Sequence, residues 1–161
     1  MPKHVLAKLE TELRELKQAL LIEIPKEIAN AASQGDLSEN AEYEQALAKR
    51  DMFQSKVVSM EKRIAEVATL DITRLPKDRV AYGSKVTLLD LDTDKQVTYH
   101  LVLPEELGAS KDQLSISSPI GLALVGMEEG AEVKVRIPAG TRRYEVVSLA
   151  TIHQQTNHKK K

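Results

Sequence analysis

The sequence predicts an α+β protein of two domains, an N-terminal antiparallel coiled-coil hairpin followed by a small, mainly antiparallel sheet with one short helix. Three observations carry this. Apolar residues recur every three or four positions as far as Val67, they alternate every second position beyond Val80, and a Pro-bearing segment with neither period lies between. The first stripe is Leu6, Leu9, Leu13, Leu16 and Leu20, continued with a slip of phase by Ile24, Ile28 and Ala31 or Ala32. Pro25 removes a backbone hydrogen bond there and predicts a kink near Ile24. Ser33-Gln34-Gly35-Asp36 reads as a turn. A second seam follows at Tyr43, Ala46, Arg50, Phe53, Val57, Met60, Ile64 and Val67, broken only by Arg50. Two seams joined by a short turn pack as a helical hairpin over 1–70, with its tip at 33–44. At ~1.5 Å per residue each arm is a rod of roughly 45 Å, longer than a compact core requires.

Residues 71–78 are expected to form a linker. In the second domain, 79–152, Val80, Tyr82, Val86, Leu88 and Leu89 suggest a strand, Asp92-Thr93-Asp94 a turn, and Val97, Tyr99, Leu101 and Leu103 its partner. Leu114-Ser115-Ile116-Ser117 alternates as well. Ser118 is suited to cap a short helix from Ile120 to Val125, with Pro119 in its first turn. Val133, Val135 and Ile137 form a strand, Pro138-Ala139-Gly140 turns the chain, and Tyr144, Val146, Val147 and Leu149 finish the sheet. Residues 153–161 are expected to be a disordered basic tail.

Composition narrows the functional classes. The 161 residues contain 23 Lys+Arg against 24 Asp+Glu, a net charge of −1, with no Cys, no Trp, one Phe and four Tyr. Without Cys there are no disulfides, thiolate nucleophiles or Cys-ligated zinc. No apolar run approaches the ~18 residues of a membrane span, and Pro2-Lys3-His4 opens no signal-peptide core, so an intracellular, cytoplasmic protein is expected. Balanced charge gives no bulk attraction to nucleic acid, and few aromatics argue against base-stacking platforms. His4, His100, His153 and His158 show no metal-ligand spacing and read as surface or tail residues.

Charge is uneven at the tip. Between Lys26 and Lys49 there is no basic residue, whereas Glu27, Asp36, Glu39, Glu42 and Glu44 all fall in that stretch, which reads as acidic and unpaired. One reading is structural: Asp36 caps the second helix and Glu39 completes an approximate capping box. The other is chemical. Two carboxylates three positions apart can share a divalent cation, but Mg²⁺ takes about six oxygens, so the pair is half a metal site that a partner must complete. Where the partner is a nucleic-acid active centre, a shared metal turns repulsion into attraction and orients a water for phosphodiester hydrolysis.

Gly35-Asp36-Leu37-Ser38-Glu39-Asn40-Ala41-Glu42-Tyr43 resembles the hairpin-tip signature of the bacterial transcript-cleavage factors GreA and GreB. The likeness extends through Asp71-Ile72, Tyr82-Gly83-Ser84-Lys85-Val86, Ile116-Ser117-Ser118-Pro119-Ile120 and the run from Val133 to Gly140. It implies a second domain resembling the FK506-binding-protein (FKBP) fold. It also implies a factor, monomeric and without turnover of its own, that enters the secondary channel of RNA polymerase and stimulates cleavage of backtracked RNA. Asp36 and Glu39 would help hold a Mg²⁺ shared with the polymerase. Ser38, Asn40 and Glu42 would shape the tip or touch the polymerase, and Ser117, Ser118, Pro119 and Ile120 would grip the channel rim. Lys49 and Arg50 are candidates for contact with the nascent RNA 3′ end, although an Arg at a seam position also suits a Glu across the coil.

The chain departs from the family pattern at Gly121-Leu122, where Ala and a basic residue are common, and at Met127, where Lys is common. Leu47 and Ala48 stand where several members have basic residues. Two other readings are a channel-binding paralogue that inhibits without promoting cleavage, and a prolyl isomerase, for which a single Phe and no Trp leave little aromatic pocket. A third treats the coil as a dimer interface.

Overall fold

The first leucine stripe winds into α1 (Lys3–Gln18), which runs through a π-helical turn over Ala19–Glu23 into α2 (Ile24–Ala32). The computed structural model describes residues 2–34 and 40–159, with side chains described as far as residue 155. The bend expected near Ile24 takes the form of this π turn. Pro25, in the first turn of α2, has no N–H to donate, and Ile24 N–H reaches back five residues to Ala19 O. The turn also restores phase. Successive steps of four from Leu16 to Ile28 carry the stripe roughly 40° each around an α-helix, and the extra residue returns it to the seam. Ile24 is accordingly 0% exposed, while Leu21 in the π turn is 78% exposed.

The second arm, α3 (Ala41–Ala68), is 28 residues long. Both α1 and α2 pack against it, and every apolar position of the two seams is buried or half-buried. Lys49 Nζ lies 3.0 Å from Glu27 Oε1 and so ties α3 to α2. Glu27, read as part of an unpaired acidic stretch, is therefore paired. The two ends of this pair are 40% and 46% exposed, so its contribution to stability is about 0–1 kcal/mol. Arg50 turns to its neighbour Asp51, at 3.3 Å, rather than to a Glu across the coil.

The chain divides into units Met1–Asp71 and Ile72–Lys161. The segment read as a linker carries a 3₁₀ turn over Ile72–Arg74, and all of it after Asp71 falls within the second unit, where Thr151 Oγ1 donates to Lys77 O at 3.3 Å.

The second unit is a five-stranded sheet in the order β3-β2-β1-β5-β4. Its strands are β1 (Lys85–Asp90), β2 (Gln96–Val102), β3 (Gln113–Ser115), β4 (Glu132–Ile137) and β5 (Gly140–Ala150), and only the β2–β3 pairing is parallel. Val86, Leu88, Leu101, Val133, Val135, Tyr144 and Val146 make one buried face, covered by Leu124 of the short helix α4 (Pro119–Leu124). The first strand begins later than Val80, because Gly83 takes φ +83° and turns the chain. Val80 instead exchanges backbone hydrogen bonds with Gly126 and Met127 at the end of the α4 exit. In β5 the inward side changes parity: Tyr144 and Val146 face the core, Val147 is bulged out between the partners of Thr87 and Leu88, and Leu149 faces in again.

Of the tail expected to be disordered, residues 153–159 belong to a helix, α5 (Ile152–Lys159), while residues 160 and 161 lie outside the described residues. Thr151 N–H donates to Gln154 Oε1 at 2.9 Å, one half of a capping box. Gln155 Nε2 donates to Gly83 O and Ala150 O, both at 2.8 Å. His153, read as a surface or tail residue, is half-buried with a ring nitrogen 2.8 Å from Leu75 O.

The β1–β2 turn is pH-linked through Asp90. Its Oδ1 accepts from Asp92 N–H at 2.9 Å and Thr93 N–H at 3.3 Å, and Oδ2 lies 3.4 Å from Arg142 Nη1. The Asp92 backbone donor, foremost, holds the carboxyl below its ordinary value. A depressed folded-state pKa gives stability that is complete above the unfolded value of about 3.9 and lost as pH falls through the folded value. Asp90→Ala should therefore lower Tm at neutral pH, and thermal melts at decreasing pH should show the gap to the parent closing below about pH 4. A gap that stayed constant into acid would contradict this linkage.

Candidate functional site at the hairpin tip

The acid-bearing segment 35–39 lies between α2 and α3. Asp36, Ser38 and Glu39 are outside the described residues, so the site is built from the groups on either side. The helix following the tip is capped by Asn40, not by Asp36: Asn40 Oδ1 accepts from Tyr43 N–H at 3.1 Å. The same side chain donates from Nδ2 to Ala31 O at 2.6 Å. Its orientation is unambiguous, since Tyr43 N–H can only donate and Ala31 O can only accept. One amide thereby satisfies an orphan donor at the start of α3 and adds a second donor to the Ala31 carbonyl at the end of α2, which also accepts from Gln34 N–H at 3.3 Å.

Glu42 is exposed in the first turn of α3, where a carboxylate suits the positive end of the helix dipole. It lines a shallow cleft of about 360 Å³ with Glu27, Asn30, Gln34, Gln45 and Lys49. The ammonium of Lys49 also sits 5.6 Å from the centroid of the Phe53 ring, as does that of Lys56. Lys49 is thus held by Glu27 and Phe53 together, and Arg50 by Asp51. The structure brings Asn40, Glu42 and Lys49 to the tip half of the hairpin.

The Ser117–Ile120 segment is built differently. Ser118 caps α4 by accepting from Gly121 N–H at 3.1 Å, and its hydroxyl donates to Ser115 O at 2.7 Å. Ile120 packs against the core. Ser117 and Pro119 are exposed, and around the exit of α4 so are Leu122 (67%), Val125 (44%) and Met127 (37%). Leu122 and Met127 are the positions at which the sequence departs from the family pattern; Val125 was not singled out in sequence, because an apolar residue at the end of a short helix reads as core.

Among the described residues no group of three or more His, Cys, Asp or Glu could hold a metal, and none of their helices is long and apolar enough to cross a membrane. Asp36 and Glu39 lie outside that search. As a donor set they are two hard carboxylates, the ligand type that suits Mg²⁺.

A helical hairpin with an acid-rich turn, followed by a five-stranded unit with an exposed Ser-Pro loop, defines a two-domain, hairpin-bearing class of protein. Comparison with known families places it within that class. Residues 1–68 match the family described as "Transcription elongation factor, N-terminal", and residues 75–151 match "Transcription elongation factor, GreA/GreB, C-term". The chain is 40% identical over 155 residues to a transcription elongation factor GreA of Anaeromyxobacter sp. (strain K), covering 96% of this chain and 93% of that protein. To a GreA of Rickettsia prowazekii (strain Madrid E) it is 42% identical over 142 residues, covering 88% of each. A solved GreA/GreB factor from Nitrosomonas europaea matches 56% of this chain and 78% of its own at 26% identity. Its TM-score is 0.41, a superposition too loose to carry an argument. The chain belongs to the GreA/GreB family of transcription elongation factors.

Proposed function

We propose that this factor binds RNA polymerase, inserts its hairpin tip into the secondary channel and stimulates the polymerase's own hydrolysis of backtracked RNA, so rescuing arrested complexes. The observation that carries the reading is the place of Asp36 and Glu39 in the sequence: they fall between α2 and α3, two helices that pack together, in a chain matched by the family along both units. In this reading Asp36 and Glu39 are the residues that would hold a Mg²⁺ together with polymerase carboxylates. When bound, that ion supplies orientation and acidification of an attacking water. Asn40 shapes the tip and Glu42 adds negative charge beside it. Lys49 and Arg50, at the tip half of α3, are placed to meet the RNA 3′ end once they leave Glu27 and Asp51.

The factor acts in the cytoplasm as a monomer, and the hydrolysis belongs to the polymerase active site. Ser117 and Pro119 provide the exposed part of the docking surface, while Ser118 and Ile120 hold the loop from within. Leu122 and Met127 make this surface more apolar than the basic pattern common in the family, so docking should lean on contact area more than on charge.

The direct test uses stalled, backtracked elongation complexes with Mg²⁺. Adding the factor should shorten the RNA from its 3′ end and restore elongation. Blocked elongation without shortening would overturn this reading and support a channel inhibitor on the same scaffold.

A further inference from the structure

We propose that α5 is a clasp that shortens the tether between the hairpin and the second unit, by pinning the chain at Leu75 and Lys77. Three side chains at the start of α5 donate into the segment that leads to β1. Thr151 Oγ1 reaches Lys77 O at 3.3 Å, His153 Nε2 lies 2.8 Å from Leu75 O, and Gln155 Nε2 lies 2.8 Å from Gly83 O. All three partners are backbone carbonyls, which can only accept, so His153 carries a proton on Nε2 and Gln155 presents its NH₂. The second hydrogen of that NH₂ goes to Ala150 O at 2.8 Å and ties the clasp back to β5.

These bonds exceed what the start of a helix requires. Thr151 N–H already reaches Gln154 Oε1, which serves α5 itself. The donors of Thr151, His153 and Gln155 instead meet carbonyls between 72 and 78 positions away in sequence. The packing is close as well: Thr151 is 1% exposed, and a Cβ at Gly83 would fall 2.7 Å from Ile152 Cδ1. Gly83 thus leaves room for α5 in addition to turning the chain. The helix begins just past the stretch 75–151 that the family's second model matches, so the clasp is built from this chain's own contacts.

The first unit ends at Asp71, while Arg79 is paired with Glu128 at 3.6 Å and Val80 is bonded to Gly126 and Met127. With the clasp closed, the three residues 72–74 separate one held end from the other. With it open, the seven residues 72–78 do. The effective concentration of a tethered module falls roughly as the −3/2 power of tether length, so opening the clasp lowers it about fourfold. This consequence rests on the function proposed above, in which both units engage one polymerase.

The test uses the full chain carrying His153→Phe and Gln155→Met together, which keep the bulk of both side chains and remove both donors. Native trypsin digestion read by mass spectrometry should cut after Arg74 and Lys77 about tenfold faster than in the parent, the scale of one or two lost hydrogen bonds. Cutting after Arg136 in β4 should be unchanged, whereas a general loss of structure would speed that cut too. Titrated onto RNA polymerase elongation complexes, the variant should need about fourfold more protein for half-maximal binding, with the rate of RNA shortening at saturation unchanged.

Equal cutting after Arg74 and Lys77 in variant and parent would overturn the clasp, whatever either does to polymerase. So would faster cutting after all three sites, which would make α5 a general support of the sheet. Faster cutting at the first two with unshifted binding would overturn the tether role. A parent that does not bind polymerase would sink the functional reading and the tether role with it, while the digestion would still decide whether α5 holds the chain.

Discussion

Asp36→Asn and Glu39→Gln are each expected to reduce stimulated RNA cleavage at saturating factor by about a hundredfold or more, with polymerase affinity within about twofold of the parent. An amide keeps the size of a carboxylate and removes its charge. An amide oxygen is a neutral and weaker donor to Mg²⁺ than a carboxylate, so the substitution weakens the hold of the shared shell on the ion. Affinity should survive because the docking contacts assigned here lie in the second unit. Gel-resolved RNA shortening and competition binding on the same complexes measure the two quantities separately. Variants that lose binding yet cleave normally per bound complex would reverse the assigned roles. The double variant should be little worse than either single one, since both changes disable one metal shell.

The second large effect is expected at Gly121. A Cβ added there would lie 2.2 Å from Ser115 O and 3.0 Å from Ile116 Cα, both backbone atoms that cannot swing aside. Ser115 O also accepts from Ser118 N–H and Ser118 Oγ, so displacing it disturbs the cap of α4. Overpacking of this kind costs about 1–3 kcal/mol. For a domain of this size that corresponds to a fall in melting temperature of about 5–20 °C.

Three of the four tyrosines, Tyr82, Tyr99 and Tyr144, lie in the second unit, and there is no Trp, so tyrosine fluorescence follows its melting in the full chain. Because α4 carries Pro119 at its start and Leu122 on its exposed side, Gly121→Ala should also weaken polymerase binding about tenfold, the scale of one lost well-packed contact. Cleavage at saturation should be unchanged. Pro119→Ala tests the same surface without the clash, and unaltered affinity in that variant would remove the loop from the docking surface. The departure at Gly121-Leu122 thus has a geometric counterpart: Gly at this position lets α4 lie closer to β3 than Ala would allow.

The hairpin was legible because two long seams at helical spacing leave few other ways to bury so many Leu and Ile side chains. Its interruption was legible at Pro25, but the form was not, since the N–H that Pro25 lacks can be accommodated by a kink or by a π turn. The strands were legible wherever one face is buried. The notion of a strand running on from Val80 failed at Gly83, whose positive φ is a backbone property that hydrophobic alternation does not register. The same alternation slips at Val146-Val147, where adjacent β-branched residues mark a bulge.

At the tip, Asp36 and Asn40 are both good caps, and spacing alone did not choose between them; the choice fell to Asn40, which serves both helix ends. The fixed start of α5 was signalled by Thr151-Ile152-His153-Gln154, a capping pattern masked by the polar, basic residues after it. The pairing of Glu27 with Lys49 could not be read from sequence, because it joins residues 22 positions apart on opposite arms.

The central claim is that two tip carboxylates complete a magnesium shell supplied in part by the polymerase. A cryo-EM structure of the factor on a backtracked elongation complex with Mg²⁺ measures this directly. The account predicts an oxygen of Asp36 or Glu39 at about 2.0–2.1 Å from a Mg²⁺ at the active site, or joined to it through one bound water. Both side chains lying well away from every metal, in a complex competent for cleavage, would contradict it.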